Sequence, residues 1–412
     1  MEYLTPNFTK EMLKTHTILI PDMAPIQFSL LKAAMESEGY HVELLHNAGN
    51  EAAKLGLKYV HNDTCYPALL IIGQFLDALQ SGKYDLDRTA LLITQTGGGC
   101  RASNYIKLLR KALVKAGYGN IPVVSLNTSH LEAGSSMPLS MRFIKKVIAA
   151  IEYGDEICSL RNQIKPYEVN TGETEQKTTE WIETISSWIH AKKNINPLMM
   201  KKKFLEIAGD FAKIPKQKKD CTKVGIVGEI YVKFSPLGNN HLLEFLEQEG
   251  CEVNLPGLMG FIEYCIANYG IDFHLYGGNS FVAKGADLLL GWLDNIGKAM
   301  NKAMNTFGFY APGSFHDLMQ KPDGILHLGA KMGEGWLLTA EMVELIEGGY
   351  TNIVCAQPFG CLPNHIAGKG VIKKIREKFP DANITPIDYD PSATKVNQEN
   401  RIKLMLAIAD ET

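Results

Sequence analysis

Two long stretches of this chain alternate short apolar runs with segments of helical periodicity, and this alternation is the strongest constraint on its fold. The apolar runs of the first stretch lie at 17–21, 41–45, 89–94 and 121–126. Those of the second stretch lie at 223–230, 252–255, 325–328, 352–356 and 384–387. Repeated strand–helix units build parallel sheets covered by helices. The sequence therefore predicts an α/β protein with two Rossmann-like lobes, each containing a mostly parallel sheet.

The alternation stops between the two stretches. Residues 159–220 are more polar and predict surface helices, so we expect a helical connector. The predicted organisation is an N-terminal lobe at 1–158, this connector, and a C-terminal lobe at 221–412. The connector carries two groups of lysines, which this interpretation treats as solvated surface charge: Lys201, Lys202 and Lys203, then Lys216, Lys218 and Lys219.

Charge and hydropathy exclude several classes of function. The formal net charge is −3, which gives no strong field for nucleic acid or an anionic membrane surface. No apolar run is long enough to span a bilayer, and the first residues carry acids without the apolar core of a secretory signal. We expect a cytoplasmic protein, in which the 8 cysteines are free thiols or metal ligands rather than disulfides.

Three cysteines fall on predicted strand-to-helix loops, where open α/β sheets bind ligands. Cys65 begins a predicted helix, Cys100 ends a triple-glycine turn, and Cys361 follows a strand end. These three are candidate metal ligands. Cys355 lies inside a predicted strand and is either buried filler or a fourth ligand. No CxxC pair is present, so spacing alone also allows structural cysteines.

Residues beside these cysteines are candidates for cofactor contact and for catalysis. Glycines let the backbone approach a bulky ligand and direct amide groups at it. The predicted cofactor contacts are Thr64, Gly98, Gly99, Gln357 and Gly360. The candidate catalytic residues are His365, Glu229 and Glu334. The alternative for His365 is a hydrogen bond to the backbone at a helix start, and for Glu334 it is a first-turn carboxylate favoured by the helix dipole. The glycine turn lacks the Lys-Ser/Thr ending of a P-loop, so we predict no ATPase site.

Several longer stretches resemble the C-terminal, non-ATPase region of the large activator proteins of 2-hydroxyacyl-CoA dehydratases. The similarity covers nearly the whole chain. The stretches that carry it lie at 16–21, 62–67, 95–101, 228–234, 333–337, 357–365 and 387–391. In that family the region usually follows one or two ATPase modules, which are not seen in this sequence.

The wider relatives are dehydratase subunits and double-cubane cluster proteins, which bind iron–sulfur clusters through loop cysteines. The resemblance implies an oxygen-sensitive 4Fe-4S or double-cubane cluster held by Cys65, Cys100 and Cys361. It implies as partner a separate ATPase activase, or a subunit matching the missing N-terminal region. The implied function is low-potential electron transfer or reduction. The alternatives are a dehydratase-like lyase acting on an acyl-CoA or other small molecule, and a non-catalytic cluster scaffold.

Overall fold

The strands form two separate sheets. The computed structural model describes residues 5–9, 11–47, 49–61, 64–95, 99–127 and 140–410. Within them the strands are β1 (Thr17–Pro21), β2 (His41–Leu45), β3 (Thr89–Gln95), β4 (Val123–Asn127), β5 (Lys223–Gly228), β6 (Glu252–Asn254), β7 (Asn352–Pro358) and β8 (Asn383–Tyr389).

Both sheets are parallel throughout, and they have the same layout. Their strand orders are β2-β1-β3-β4 and β6-β5-β7-β8, so each sheet reverses direction of winding between its first and third strands. All strand pairings within them are parallel. This confirms the predicted α/β class with two Rossmann-like lobes. In such sheets the loops at the carboxyl ends, beside the reversal point, are the usual place for ligands.

Helices cover both sheets and fill the space between them. Those of the N-terminal part are α1 (Pro25–Glu36), α2 (Asn50–Tyr59), α3 (Tyr66–Gln80), α4 (Tyr105–Ala116), α5 (Met141–Ile164), α6 (Glu173–Ala191) and α7 (Pro197–Ala212). Those that follow are α8 (Ile230–Phe234), α9 (Pro236–Asn239), α10 (Leu242–Gln248), α11 (Leu258–Tyr276), α12 (Ser280–Thr306), α13 (Phe315–Leu318), α14 (Trp336–Glu347), α15 (Ile372–Lys378) and α16 (Lys395–Asp410).

Helix α3 joins the two lobes because it is apolar on nearly all sides. One face packs into the core of the first sheet through residues such as Leu69 and Phe75. Tyr66 and Leu70 instead belong to the core of the second sheet. A helix that is hydrophobic all round is stable only when it is buried between layers. The first turn of α3, which Cys65 precedes, is therefore fixed between both lobes.

The connector is helical and packs tightly. Helix α5 is continuous across the expected boundary between residues 158 and 159. Tyr153 of α5, Ile185 of α6 and Phe204 of α7 share one core with residues of α1 and α12. A helix from the C-terminal half thus completes the connector's core.

One predicted strand is wrong. Residues 325–328 are apolar, but they form turns in which the amides of Ile325 and Leu326 both donate to the carbonyl of Pro322. None of the described helices combines the length and the apolar character needed to cross a membrane.

Candidate functional site

Cys65 lies at the amino end of α3, where the chain turns from extended to helical backbone. Pro67 stands in the first turn, where its fixed φ suits helix initiation and its missing N–H costs no hydrogen bond. The Cys65 side chain is buried, and its Sγ lies 2.9 Å from the hydroxyl oxygen of Tyr105, the first residue of α4. Thr64 is buried beside it. The thiol is therefore enclosed between α3 and α4.

Cys100 follows β3 in the same lobe. Gly98, a predicted cofactor contact, lies outside the described residues. Gly99 is exposed, and a Cβ added to it would lie 2.0 Å from Sδ of Met332 in the other lobe. Cys100 is half-buried and begins a short 3₁₀ turn, with its carbonyl accepting a 2.7 Å hydrogen bond from the Ser103 hydroxyl. The loop after β3 thus reaches across to the C-terminal lobe.

Cys361 lies on the loop after β7. Gly360 takes a φ of +73°, a conformation that favours glycine. The Cys361 side chain is 9% exposed, and its Sγ accepts a hydrogen bond from Nδ2 of Asn364 at 3.3 Å. Asn364 is the first residue of a π-helical turn. Such π turns occur frequently at functional sites.

The cysteine loops of the two lobes contact one another. The amide of Tyr66 donates to the carbonyl of Phe359 at 3.1 Å, and the Arg101 guanidinium donates to the carbonyl of Gly360 at 3.2 Å. A Cβ on Gly360 would lie 3.4 Å from Cα of Cys65. The structure therefore brings the Cys65 and Cys361 loops into direct contact. Arg101, the residue after Cys100, binds the Cys361 loop from the N-terminal lobe.

A further loop closes the same region. Gly333 has a φ of +58°, and a Cβ there would lie 2.9 Å from Pro363 and 3.9 Å from Cβ of Cys100. The loop that carries Glu334 is therefore packed between the Cys100 loop and the Cys361 loop. Four chain segments that are distant in sequence meet at the carboxyl ends of the two sheets.

Two of the candidate catalytic residues are linked to this junction. Glu229 follows β5 and accepts a 2.9 Å hydrogen bond from the amide of Val232, which makes it the cap of α8. Glu334 is buried and accepts a 3.0 Å hydrogen bond from the amide of Ile230. Burial raises the pKa of both carboxyls, and for Glu229 the neighbouring Glu334 raises the pKa further. Both residues therefore cap backbone amides and also favour the protonated form.

The thiols share this electrostatic environment. Burial raises the pKa of Cys65, against the hydrogen bond from Tyr105, and the charges of Glu229 and Cys100 raise it further. Burial also raises the pKa of Cys361, and Glu334 and then Glu229 add to that effect. Both thiols consequently favour the protonated form unless a positively charged group lies beside them.

Other predicted residues lie apart or at the rim. Cys355 is fully buried in the core between β7, α14 and α15, and burial raises its pKa to about 12. Gln357 is fully buried, and its Nε2 lies 3.9 Å from Sγ of Cys355. The side chain of His365 is exposed, while its amide donates to the carbonyl of Cys361 at 3.2 Å.

The donor chemistry of the loops fits a cysteine-ligated group. Among the described residues, no three His, Cys, Asp or Glu side chains surround a common point in the manner of a single-ion site. An iron–sulfur cluster, in contrast, is wider than one ion and is held by thiolates. The residues that would hold it are Cys65, Cys100 and Cys361. Gly360 leaves space against Cys65 that a side chain would fill.

Sequence reasoning missed three neighbours of the site. Tyr105 bonds the Cys65 thiol, and Arg101 bridges the lobes. Cys265 is exposed on α11. Desolvation of the thiol by the surrounding protein raises the pKa of Cys265 to about 12, and the charges of Glu334 and Cys100 contribute to that shift. The local signal for Arg101 is a polar residue directly after Cys100. The local signal for Tyr105 is an aromatic residue at the start of the next helix.

Comparison with known protein families and with curated proteins found no match for this chain.

Proposed function

We propose that this chain is an iron–sulfur protein that serves as a low-potential electron-transfer or reductase component. The observation that carries the proposal is the meeting of the Cys65, Cys100 and Cys361 loops across the two lobes, through the contacts of Tyr66 and Arg101 with the loop after β7. The resemblance to the non-ATPase region of dehydratase activators supports it. A bound cluster would supply one-electron transfer at this junction.

The protein's own groups would prepare this site in four ways. Asn364 donates to Cys361 Sγ, and hydrogen bonds to ligand sulfur tune a cluster's potential. The hydroxyl of Tyr105 provides a contact to the other buried thiol, at Cys65. Burial of Cys65 and Cys361 limits the access of water and oxygen to their sulfurs. Arg101 holds the lobes together at the loop that carries Cys361.

The electrons would come from a separate ATP-hydrolysing activase, because the sequence contains no recognisable phosphate-binding loop. A subunit that corresponds to the N-terminal part of the resembled activators is the other partner that the likeness suggests. The purified chain should hydrolyse no ATP by itself. ATP hydrolysis that persists after removal of every partner, and that co-purifies with the chain, would contradict the proposal that a separate protein hydrolyses the ATP.

A dehydratase-like lyase is the second candidate, and one observation favours it. Glu229 and Glu334 are adjacent buried carboxyls whose pKa values are raised by burial, and the pKa of Glu229, at about 8, lets it hold a proton near neutral pH. Proton donors of this kind would be needed to expel a hydroxyl group from an acyl-CoA substrate. Measuring acyl-CoA binding to the anaerobically purified protein distinguishes this function from electron transfer alone.

The test of the proposal is anaerobic expression with a cluster-assembly system, followed by iron and sulfide analysis and electron paramagnetic resonance. We expect Cys65→Ser, Cys100→Ser and Cys361→Ser to lose iron. The matched controls are Cys355→Ser and Cys158→Ser, which change buried thiols outside the junction.

The controls should retain iron and lose about 1–3 kcal/mol of stability, because each buries a poorly paired hydroxyl. Colourless, iron-free parent protein from this expression would refute the cluster. Retention of iron in Cys361→Ser together with its loss in Cys355→Ser would reverse the assignment of the two cysteines. Iron that leaves readily from an otherwise stable protein would favour the scaffold alternative.

A further inference from the structure

A lysine-lined groove lies at the amino ends of the strands of the second sheet, whereas the cysteine loops lie at the carboxyl ends. Its cavity volume is about 600 Å³, within the usual range for small-molecule pockets. We call it the lysine groove. Its charged lining residues are Lys216, Lys218, Lys219, Lys223 and Glu252.

The connector and the C-terminal lobe build this groove together. The amide of Gln217 donates to the carbonyl of Tyr167 at 2.8 Å, and Lys216 forms a β-bridge with Glu168. These bonds hold the segment that follows α7 in an extended form against the end of α5. Lys223 and Glu252 are paired neighbours at the starts of β5 and β6. The lysines that sequence reasoning treated as linker charge therefore stand on an ordered wall.

The charge of the groove is positive and is not neutralised within the described chain. Four lysines and one glutamate give the lining a formal charge of +3, whereas the whole chain carries −3. None of the four ammonium groups forms an ion pair or hydrogen bond with a described residue. Concentrated charge of one sign in a concave surface attracts the opposite charge.

The single carboxylate is engaged elsewhere. The hydroxyl groups of Tyr167 and Tyr350 each donate to one oxygen of Glu252, at 2.6 and 2.5 Å. Both carboxylate oxygens are thus occupied by phenols rather than by lysines. Two of the ammonium groups lie over aromatic rings, Lys216 at 5.0 Å from Phe309 and Lys223 at 5.4 Å from Tyr350. These ring contacts restrict the side chains without using their hydrogen-bond donors.

We propose that the lysine groove binds a multiply charged phosphate ligand, either a free polyphosphate or the phosphate chain of a nucleotide. Phosphate oxygens match ammonium donors, and several of them are needed to engage four lysines at once. The groove lies at the amino ends of β5 and β6, and β5 separates it by roughly 20 Å from Glu229, at the usual rise per residue. It is therefore a second site, and its ligand would bridge the connector and the C-terminal lobe.

The test is isothermal titration calorimetry of the holoprotein with tripolyphosphate, pyrophosphate, ADP and sulfate. Tripolyphosphate should bind more tightly than pyrophosphate, and raised salt should weaken both, because the attraction is between charges. If ADP binds more tightly than pyrophosphate, the ligand is a nucleotide; equal or weaker ADP binding assigns the groove to a free polyphosphate. Sulfate should bind weakest of all.

The variant is Lys216→Gln/Lys219→Gln, and the matched control is Lys201→Gln/Lys202→Gln. The control removes the same two charges from α7, where both lysines are exposed and outside the groove. The groove variant should weaken tripolyphosphate binding about tenfold, and the control should leave it unchanged. Lys218→Gln serves as a milder second variant.

The proposal is overturned if tripolyphosphate does not bind. It is equally overturned if the groove variant and the control lose the same affinity, or if sulfate matches tripolyphosphate. Unchanged melting curves of both variants without ligand show that the comparison concerns binding and not folding.

Discussion

Glu263 is a buried acid whose removal should stabilise the protein. It lies on α11 with 8% of its surface exposed, and no described residue hydrogen-bonds its carboxyl. Burial, together with the charges of Asp294 on α12 and Asp155 on α5, raises its pKa from 4.5 to about 8. Glu152 of α5 is a further buried acid beside it. The substitution is Glu263→Gln, which keeps the shape of the side chain and removes its titratable carboxyl.

The expected gain depends on pH with a definite sign. In the unfolded chain the carboxyl titrates near 4.5, and in the folded protein near 8. The stability that the protonated form contributes is therefore complete below about pH 4.5 and is lost as pH rises towards 8. At pH 7, roughly 2.5 units above the unfolded-state pKa, the carboxyl must take up a proton on folding, which costs about 3 kcal/mol at most. Allowing for local relaxation, Glu263→Gln should gain about 1–3 kcal/mol there.

The assay is urea unfolding of parent and variant at about pH 4, 6 and 8, with metal content matched between samples. The difference in midpoint should be near zero at the lowest pH and grow towards the highest. Glu183→Gln, at an exposed position of α6, is the matched control and should show no such trend. A constant difference across pH, or a variant less stable than the parent at pH 8, would refute the reasoning.

Three further substitutions test the junction. Lys233→Met should lower the free energy of unfolding by about 3–5 kcal/mol, because it leaves the buried Glu341 carboxylate without its partner at 2.9 Å. Urea unfolding measures this loss of stability. Adding Glu341→Leu should recover most of the lost stability. Gly360→Ala should lower iron content and stability, whereas Gly172→Ala, at a similar φ of +92° in open space, should only strain the backbone by about 1 kcal/mol. His365→Ala should leave iron content unchanged and impair turnover, as iron analysis and a reductase assay would show.

The sequence was sufficient for the fold class because strands and helices leave local patterns. The apolar runs at β1, β5 and β7 and the helical spacing between them are properties of neighbouring residues. The same local signal fails at 325–328, where an apolar run follows Pro322 and its amides turn back to that proline. Hydrophobicity places a segment inside the protein, but it does not decide between a strand and a buried turn.

The candidate site was predictable only in part. Cys100 and Cys361 follow β3 and β7, and parallel strands place their carboxyl ends at one edge of each sheet. Cys65 was also predicted on a strand-to-helix loop, but that prediction is wrong, because it lies between α2 and α3. The contact of Arg101 with Gly360 joins residues 259 positions apart, and no local pattern specifies it.

The two proposed sites stand at opposite ends of one strand, and this arrangement bears on whether they communicate. β5 runs from Lys223 in the groove to Gly228, directly before Glu229, and it is hydrogen-bonded on both sides by β6 and β7. Coupling between two sites requires an element with two discrete arrangements, and the pairing of β5 on both sides favours a single one. We therefore expect Lys216→Gln/Lys219→Gln to leave iron content unchanged and Cys361→Ser to leave tripolyphosphate affinity unchanged. Failure of either proposal would then leave the other standing on its own observations.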